Sequence, residues 1–352
     1  MSTKARKTSV LQNFRQSLRL FTKNPIAIVT NPYASLTSAL VMFGALLADR
    51  FGSGYGILFA LALLIFLFGI WNELRKTNLY EHEALPLPIV INIANPARSD
   101  DALRSLFQII EKDARYQNHR SNLEQYCAIQ SSDLMFDYKA NIYDAERLKD
   151  FLKITRHNLE KLKVKTPRNT VLCLAYIGPS SVGILVGTML GTDGVKIFQY
   201  NKSSDSYHEV ISIENRKLKE SIDQFTRFDI EFPSQKSHEN VTVAVDVSSH
   251  KIKRNEVSIQ TYGDLIYMAS RNYGTIDLAE DWLAYSQEIF AVLNLAQNTY
   301  AKIRLVYSMP VSLAVALGCA LQNYWPIMLT NYDPEMTSYR DVIYINEIRY
   351  FF

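Results

Sequence analysis

The segment from Leu174 to Leu190 recurs without a gap from Leu305 to Leu321, 131 positions further along the chain. The identical pairs are Leu174/Leu305, Tyr176/Tyr307, Pro179/Pro310, Ser181/Ser312, Gly187/Gly318 and Leu190/Leu321. Self-similarity of this kind constrains a fold more than composition does, because a chain that repeats a strand, a turn and a helix builds two related units. Each copy reads as a buried apolar strand, a Pro-x-Ser turn, a helix, and a further strand ending near Tyr200 or Tyr332.

The residues around the repeat complete two halves. A β-branched run at Ile89–Ile93 precedes a helical pattern through Leu103, Leu106, Phe107 and Ile110, and an amphipathic helix carries Leu148, Phe151, Leu152, Leu159 and Leu162. Later, Val241–Val247 alternates as a strand, and a long helix follows through Leu278, Trp282, Ile289 and Val292. Strands alternating with helices favour parallel sheets. The expectation is an α/β domain over 87–352 of two fused Rossmann-like halves with mostly parallel sheets, the halves covering about 87–202 and 240–352. With 48% apolar residues, a chain of 352 residues can bury both cores. The C-terminal run Val342–Asn346 is expected to complete a sheet.

The region before residue 87 reads differently. Residues 1–23 carry Lys4, Arg6, Lys7, Arg15, Arg19 and Lys23 with no acid, so a formal charge of +3 for the chain leaves −3 for everything after them. No residue is charged from Asn24 to Ala48 or from Phe51 to Asn72. Two runs of this length predict a two-helix transmembrane hairpin over 24–72, with Gly52, Gly54 and Gly56 at its turn and a linker over 73–86. The flanking cations predict that both termini are cytoplasmic, with the lipid bilayer as a partner. Small residues four apart, at Gly44 and Ala48 among others, suit either self-association or the packing of the hairpin's two helices on each other.

Cys127, Cys173 and Cys319 are widely spaced, and the last two fall in apolar stretches, which fits a reducing compartment. Six histidines form no metal-binding spacing, so no metal is expected. No G-x-S-x-G elbow, H-E-x-x-H helix or phosphate-binding G-x-x-x-x-G-K-[ST] loop occurs; a protein without catalytic residues is expected.

The repeated turn points instead to binding. Proline suits the first position of a helix, and the amides that follow it, with the positive end of the helix dipole, attract anions. Ser181 and Ser312 add hydroxyl donors nearby. Open parallel sheets bind ligands beyond the carboxyl ends of their strands. Ser248, Ser249 and His250 in the second half and Asn95 and Pro96 in the first should therefore face the same crevice, and Tyr200 and Tyr332 stand where they could stack on a base.

The motifs Ala-Tyr-Ile-Gly-Pro-Ser-Ser-Val-Gly-Ile-Leu-Val-Gly at 175–187, Met-Pro-Val-Ser-Leu-Ala-Val-Ala-Leu-Gly at 309–318 and Val-Asp-Val-Ser-Ser-His at 245–250 resemble the SAVED domain of bacterial CBASS anti-phage systems. The resemblance implies two CARF-like halves that bind a cyclic oligonucleotide, a cyclic di- or trinucleotide, made by a partner nucleotidyltransferase. It also implies assembly into a homo-oligomer on binding. With a membrane hairpin in front, it implies a bacterial inner-membrane location, the sensor domain cytoplasmic, and an effector that disrupts the inner membrane in abortive infection. The alternative is a membrane-tethered scaffold that recruits a partner and leaves the bilayer intact. Carried over to matching turns, the ligand-binding residues are Tyr176, Pro179, Ser180 and Ser181 in one half and Tyr307, Pro310 and Ser312 in the other; Ser248, Ser249, His250 and Tyr332 join them by position.

Overall fold

The computed structural model describes residues 44, 63, 64, 67, 84–94, 96–166, 170–191, 194–213, 217–220, 222, 224–272, 274, 276–321 and 323–351. They fall into two compact units. The smaller takes in Ile110–Asp133 and Lys161–Thr170. There the helix His119–Tyr126 buries His119, Leu123 and Tyr126, the Tyr116 hydroxyl donates to the Ala84 carbonyl at 3.0 Å, and Lys165 donates to the Ala128 carbonyl at 3.2 Å. The larger unit, Pro86–Ile109, Leu134–Glu160 and Val171–Phe352, holds both sheets and the candidate site.

The strands are β1 (Leu85–Asn92), β2 (Met135–Asp137), β3 (Thr170–Ile177), β4 (Val195–Asn201), β5 (Ser206–Ile213), β6 (Phe228–Glu231), β7 (Asn240–Asp246), β8 (Asp264–Ser270), β9 (Lys302–Ser308), β10 (Ile327–Asp333) and β11 (Ser338–Tyr344). The α-helices are α1 (Ser99–Glu111), α2 (His119–Tyr126), α3 (Ala145–Lys165), α4 (Ser180–Leu190), α5 (Val257–Gln260), α6 (Trp282–Thr299) and α7 (Val311–Ala320). One sheet runs β2-β1-β3-β4-β5 and the other β11-β10-β9-β7-β8-β6. Without β6 the two orders correspond strand for strand. The pairs β1–β2, β3–β4, β7–β8, β7–β9 and β9–β10 are parallel; the hairpins β4–β5 and β10–β11, and the added edge β6–β8, are antiparallel. Every residue of β1 is buried, although Pro86 and Pro88 lack amide donors. Its neighbour β2 pairs only with Val90–Asn92, so neither proline meets that strand's ladder.

The repeat extends into the hairpins, where one inserted residue changes the offset to 132. Tyr200 packs on Tyr207 and Tyr332 on Tyr339, each with ring centroids 5.4 Å apart. Asp205 and Thr337 both turn with positive φ, 47° and 49°. The side chains of Asn201 and Asp333 both accept at 2.9 Å from the amide two residues on.

The central helices α4 and α7 are buried almost throughout and pack on each other, with α7 reaching β4 and α4 reaching β10. Their crossing point is Gly187 on Gly318. A Cβ at Gly187 would stand 2.0 Å from the Val315 carbonyl oxygen, and one at Gly318 would stand 2.0 Å from that of Ile184. The hydroxyl of Thr188 donates to the Ile184 carbonyl at 3.0 Å and approaches that of Gly318 at 3.3 Å.

The two mostly parallel sheets accord with two Rossmann-like halves, but the expected transmembrane hairpin and inner-membrane location are corrected. Among the described residues no helix is long and apolar enough to cross a membrane. A span needs about 20 apolar residues. The helices that are apolar on every side, α4 and α7, have 11 and 10 residues, and the 21-residue α3 carries charge along its length. Residues 1–43 and 73–83 lie outside the described residues, as does the expected hairpin apart from Gly44, Leu63, Leu64 and Leu67.

Because the clash at the crossing is with backbone, Gly318→Ala should lower unfolding free energy by about 3 kcal/mol in urea titration, at the upper end of overpacking costs. Gly194→Ala, whose Cβ would meet only Val171 at 3.7 Å, should change it by under about 1 kcal/mol.

Candidate functional site

The central strands of the two halves end alike. Each closes on a fully buried polar residue, Asn92 in β1 and Asp246 in β7. The next amide bonds the neighbouring strand: Ile93 N donates to Ile177 O and Val247 N to Ser308 O, both at 2.7 Å. Both polar side chains fold the following loop back onto the sheet. Asn92 donates to Ser99 Oγ at 2.8 Å, and that hydroxyl donates to Asp137 at 2.6 Å. Asp246 accepts from the Ile252 amide at 3.3 Å, the Tyr267 hydroxyl at 2.8 Å and Lys251 Nζ at 3.5 Å. A buried carboxylate needs partners of this kind.

The turns after β3 and β9 place prolines ahead of α4 and α7. Pro179 (φ −66°, ψ 143°) and Pro310 (φ −59°, ψ 144°) are the cap residues, and neither helix start has a side-chain cap. The first intrahelical bonds are Gly183 N to Pro179 O, 3.0 Å, and Ala314 N to Pro310 O, 3.1 Å. The amides of 180–182 and 311–313 therefore precede the intrahelical ladder, at the positive ends of two helix dipoles. Tyr176 fixes its turn by donating to Pro179 O at 2.7 Å. Gly178 makes room, since a Cβ there would lie 2.6 Å from that hydroxyl. Tyr307 donates instead to Thr330 O. Burial pushes both phenols well above the usual tyrosine range, so both stay protonated donors.

One hydrogen-bonded seam joins the halves at this edge. Ser180 Oγ donates to Met309 O at 3.2 Å. Ser308, one residue earlier, donates its hydroxyl to His250 O and lies 2.5 Å from Ser248 Oγ, which accepts from the His250 amide at 3.2 Å. With Ser308 donating to the carbonyl, Ser248 is the donor between the two hydroxyls.

The expected residues therefore separate. Ser180, Ser248 and His250 meet on the seam, with Pro310 next to it and Ser249 exposed beside it. Pro179 caps α4 immediately before Ser180. Tyr176, Ser181, Tyr307 and Ser312 have buried side chains, at 4%, 0%, 7% and 1% exposure; Tyr176 holds its turn, and Ser312 donates to Phe198 O at 3.3 Å. Tyr332 is half exposed on the β10–β11 hairpin. Asn95 lies outside the described residues. Ser308 was not foreseen; its position at the end of β9, just before Met309-Pro310, is the one sequence signal for it.

Residues 216–345 match the family model of the SMODS-associated and fused to various effectors sensor domain, SAVED. The second half is a SAVED match. It takes in β6 to β11 with Ser248, Ser249, His250, Tyr307, Ser308, Pro310, Ser312 and Tyr332. No curated protein matches by sequence. Among solved structures, the Acinetobacter baumannii Cap4 SAVED/CARF-domain containing receptor with the cyclic trinucleotide 2′3′3′-cAAA is 14% identical, with a TM-score of 0.49, covering 83% of this chain and 59% of that one. The same receptor with 3′3′3′-cAAA is 13% identical, at 0.49, covering 83% and 60%. The Moraxella osloensis Cap4 receptor is 13% identical, at 0.48, covering 78% and 54%. This chain thus spans less than two thirds of the length of each of these chains.

Ser308→Ala removes two contacts that pin the 248–250 loop. It should cost about 1 kcal/mol and, by loosening the loop, speed tryptic cleavage after Lys251 and Lys253 about fivefold, as followed by mass spectrometry.

Proposed function

We propose that this chain is a sensor of a cyclic oligonucleotide, bound once per chain beyond the ends of β1, β3, β7 and β9. The observation that carries the reading is the seam from Ser180 through Met309 and Ser308 to Ser248 and His250. It gathers two pseudo-equivalent helix starts and a strand-end loop beside the carboxyl ends of strands from both sheets, where open α/β sheets hold ligands. The SAVED match of the second half, described as a sensor domain, agrees with it. Uncapped amides at 180–182 and 311–313 suit phosphodiester groups, and Tyr332, with Tyr200 opposite it in the repeat, suits stacking on bases.

The reading places the chain in CBASS anti-phage defence, downstream of a nucleotidyltransferase that makes the messenger. Occupancy of the crevice favours one arrangement of the halves, and that arrangement assembles into a homo-oligomer. No catalysis is proposed; the Ser180 hydroxyl donates to a backbone carbonyl.

Calorimetry and light scattering on the full chain, against cyclic di- and trinucleotides, test this. One compound should bind tightly at one per chain, with a rise in mass. Ser249→Asp, placing a negative charge on an exposed residue beside the seam, should weaken it by about tenfold or more without moving the melting temperature. Binding of two ligands per chain would contradict a shared crevice, and no binding by any compound would remove the sensor reading.

A further inference from the structure

The two halves hold each other reciprocally. In each half the helix ahead of the repeated strand, α3 before β3 and α6 before β9, opens on an aspartate that accepts from the third amide on. Asp144 accepts from Arg147 N and Asp281 from Ala284 N, both at 3.2 Å. After its hairpin each half makes a 3-10 turn, Lys217–Lys219 following β5 and Ile345–Phe351 following β11. Each turn is bonded to the helix of the other half. Gln287 of α6 donates to Lys217 O at 2.8 Å, and Leu218 beside it is buried. Lys149 of α3 reaches Glu347 at 3.1 Å, and Ile345 and Ile348 of that turn are buried.

The two arms of this clasp differ in kind. One is a neutral hydrogen bond; the other is an ion pair in which Lys149, its side chain 13% exposed, is also held by Glu146 at 3.0 Å. Charges so little exposed are screened less than surface pairs. The ionic arm has a second contact, since the guanidinium carbon of Arg340 lies 4.0 Å from the centre of the Tyr143 ring, a cation–π contact. Arg340 stands on β11 opposite Asn331, next to the pair of Tyr332 with Tyr339. Tyr143 belongs to the 138–144 loop after β2, whose first amide, Tyr138 N, donates to Asn92 O at 2.9 Å. The hairpin that carries Tyr332 is thereby tied to a strand end of the first half. At the equivalent place in β5, His208 stands opposite Gln199 and bonds Ser204 and Ser206 of its own hairpin, both at 3.0 Å.

We propose that this reciprocal clasp sets the spacing of the two halves, and that its ionic arm, Lys149 with Glu347 and Arg340 on Tyr143, positions the Tyr332 hairpin for the ligand. These four are positioning residues: they act through the hairpin and touch no ligand themselves. The part of the proposal that concerns the ligand rests on the sensor reading above.

The test reads the spacing first. Spin labels on Ser203→Cys and Met336→Cys, exposed residues of the two hairpins, report the distance between the halves by pulsed electron resonance, and the native Cys127, Cys173 and Cys319 are buried from the label. The full chain should give one narrow distance. Glu347→Lys, which sets a like charge against Lys149, and Arg340→Gln, at an exposed position, should each broaden it about twofold or more. Adding Lys149→Glu to Glu347→Lys restores an opposite pair and should return the wild-type width. The same chains are then titrated with 3′3′3′-cAAA, 2′3′3′-cAAA and cyclic di-AMP. Affinity should fall about fivefold in the two single variants and recover in the charge exchange, because only the population that holds the hairpin in place binds. A width unchanged by either single variant overturns the clasp. Broadening with wild-type affinity overturns its link to the ligand and leaves the sensor reading standing. A wild-type chain that binds none of the three compounds overturns that link together with the sensor reading, while the widths still decide the clasp.

Discussion

Gly187 and Gly318 let α4 and α7 touch backbone to backbone, and much of the molecule is arranged around that contact. Neither position has room for a methyl group, because each faces the carbonyl oxygen of the other helix at 2.0 Å from where a Cβ would be. Around the crossing, Val182, Ile184, Leu185, Val186, Leu313, Val315 and Leu317 are fully buried. Burial of such side chains is worth about 1.5–3 kcal/mol each. Each helix begins immediately after its Pro turn. The crossing thus helps set how the two uncapped starts stand to each other, and Ser180 at one of them donates to Met309 O just ahead of the other.

Much of this was legible in the sequence, for a definable reason. Strand, turn and helix repeat without a gap, so the related halves, the parallel strands and both prolines could be read from spacing alone. The hairpins were only partly legible. The inserted residue ahead of β10 shifts the offset, and the equivalence of Asp205 with Thr337 or Tyr207 with Tyr339 emerges only with the backbone. Ser308 was out of reach because its partner Ser248 is sixty residues away and the contact depends on the register of β7 with β9. Charge-free runs at 24–72 raised an expectation that no described helix meets.

The residues shared by the two copies carry a separate lesson. Tyr176, Tyr307, Ser181 and Ser312 were expected at the ligand because they repeat, yet their side chains are buried. The repeated tyrosines differ in what they hold: Tyr176 donates to Pro179 O in its own turn and Tyr307 to Thr330 O in β10. What differs between the halves is the polar residue buried beneath each strand-end loop, Asn92 in one and Asp246 in the other, and the residues of the loops themselves. Pseudo-symmetry thus supplies the scaffold shared by the two halves.

The most direct measurement of a shared crevice is hydrogen–deuterium exchange of the full chain with and without a saturating cyclic oligonucleotide. One crevice requires that amides at 180–182, 248–252 and 311–313 gain protection together. Protection confined to one half, or appearing instead around the cavity beside Phe232, Lys236 and Leu295, would contradict it.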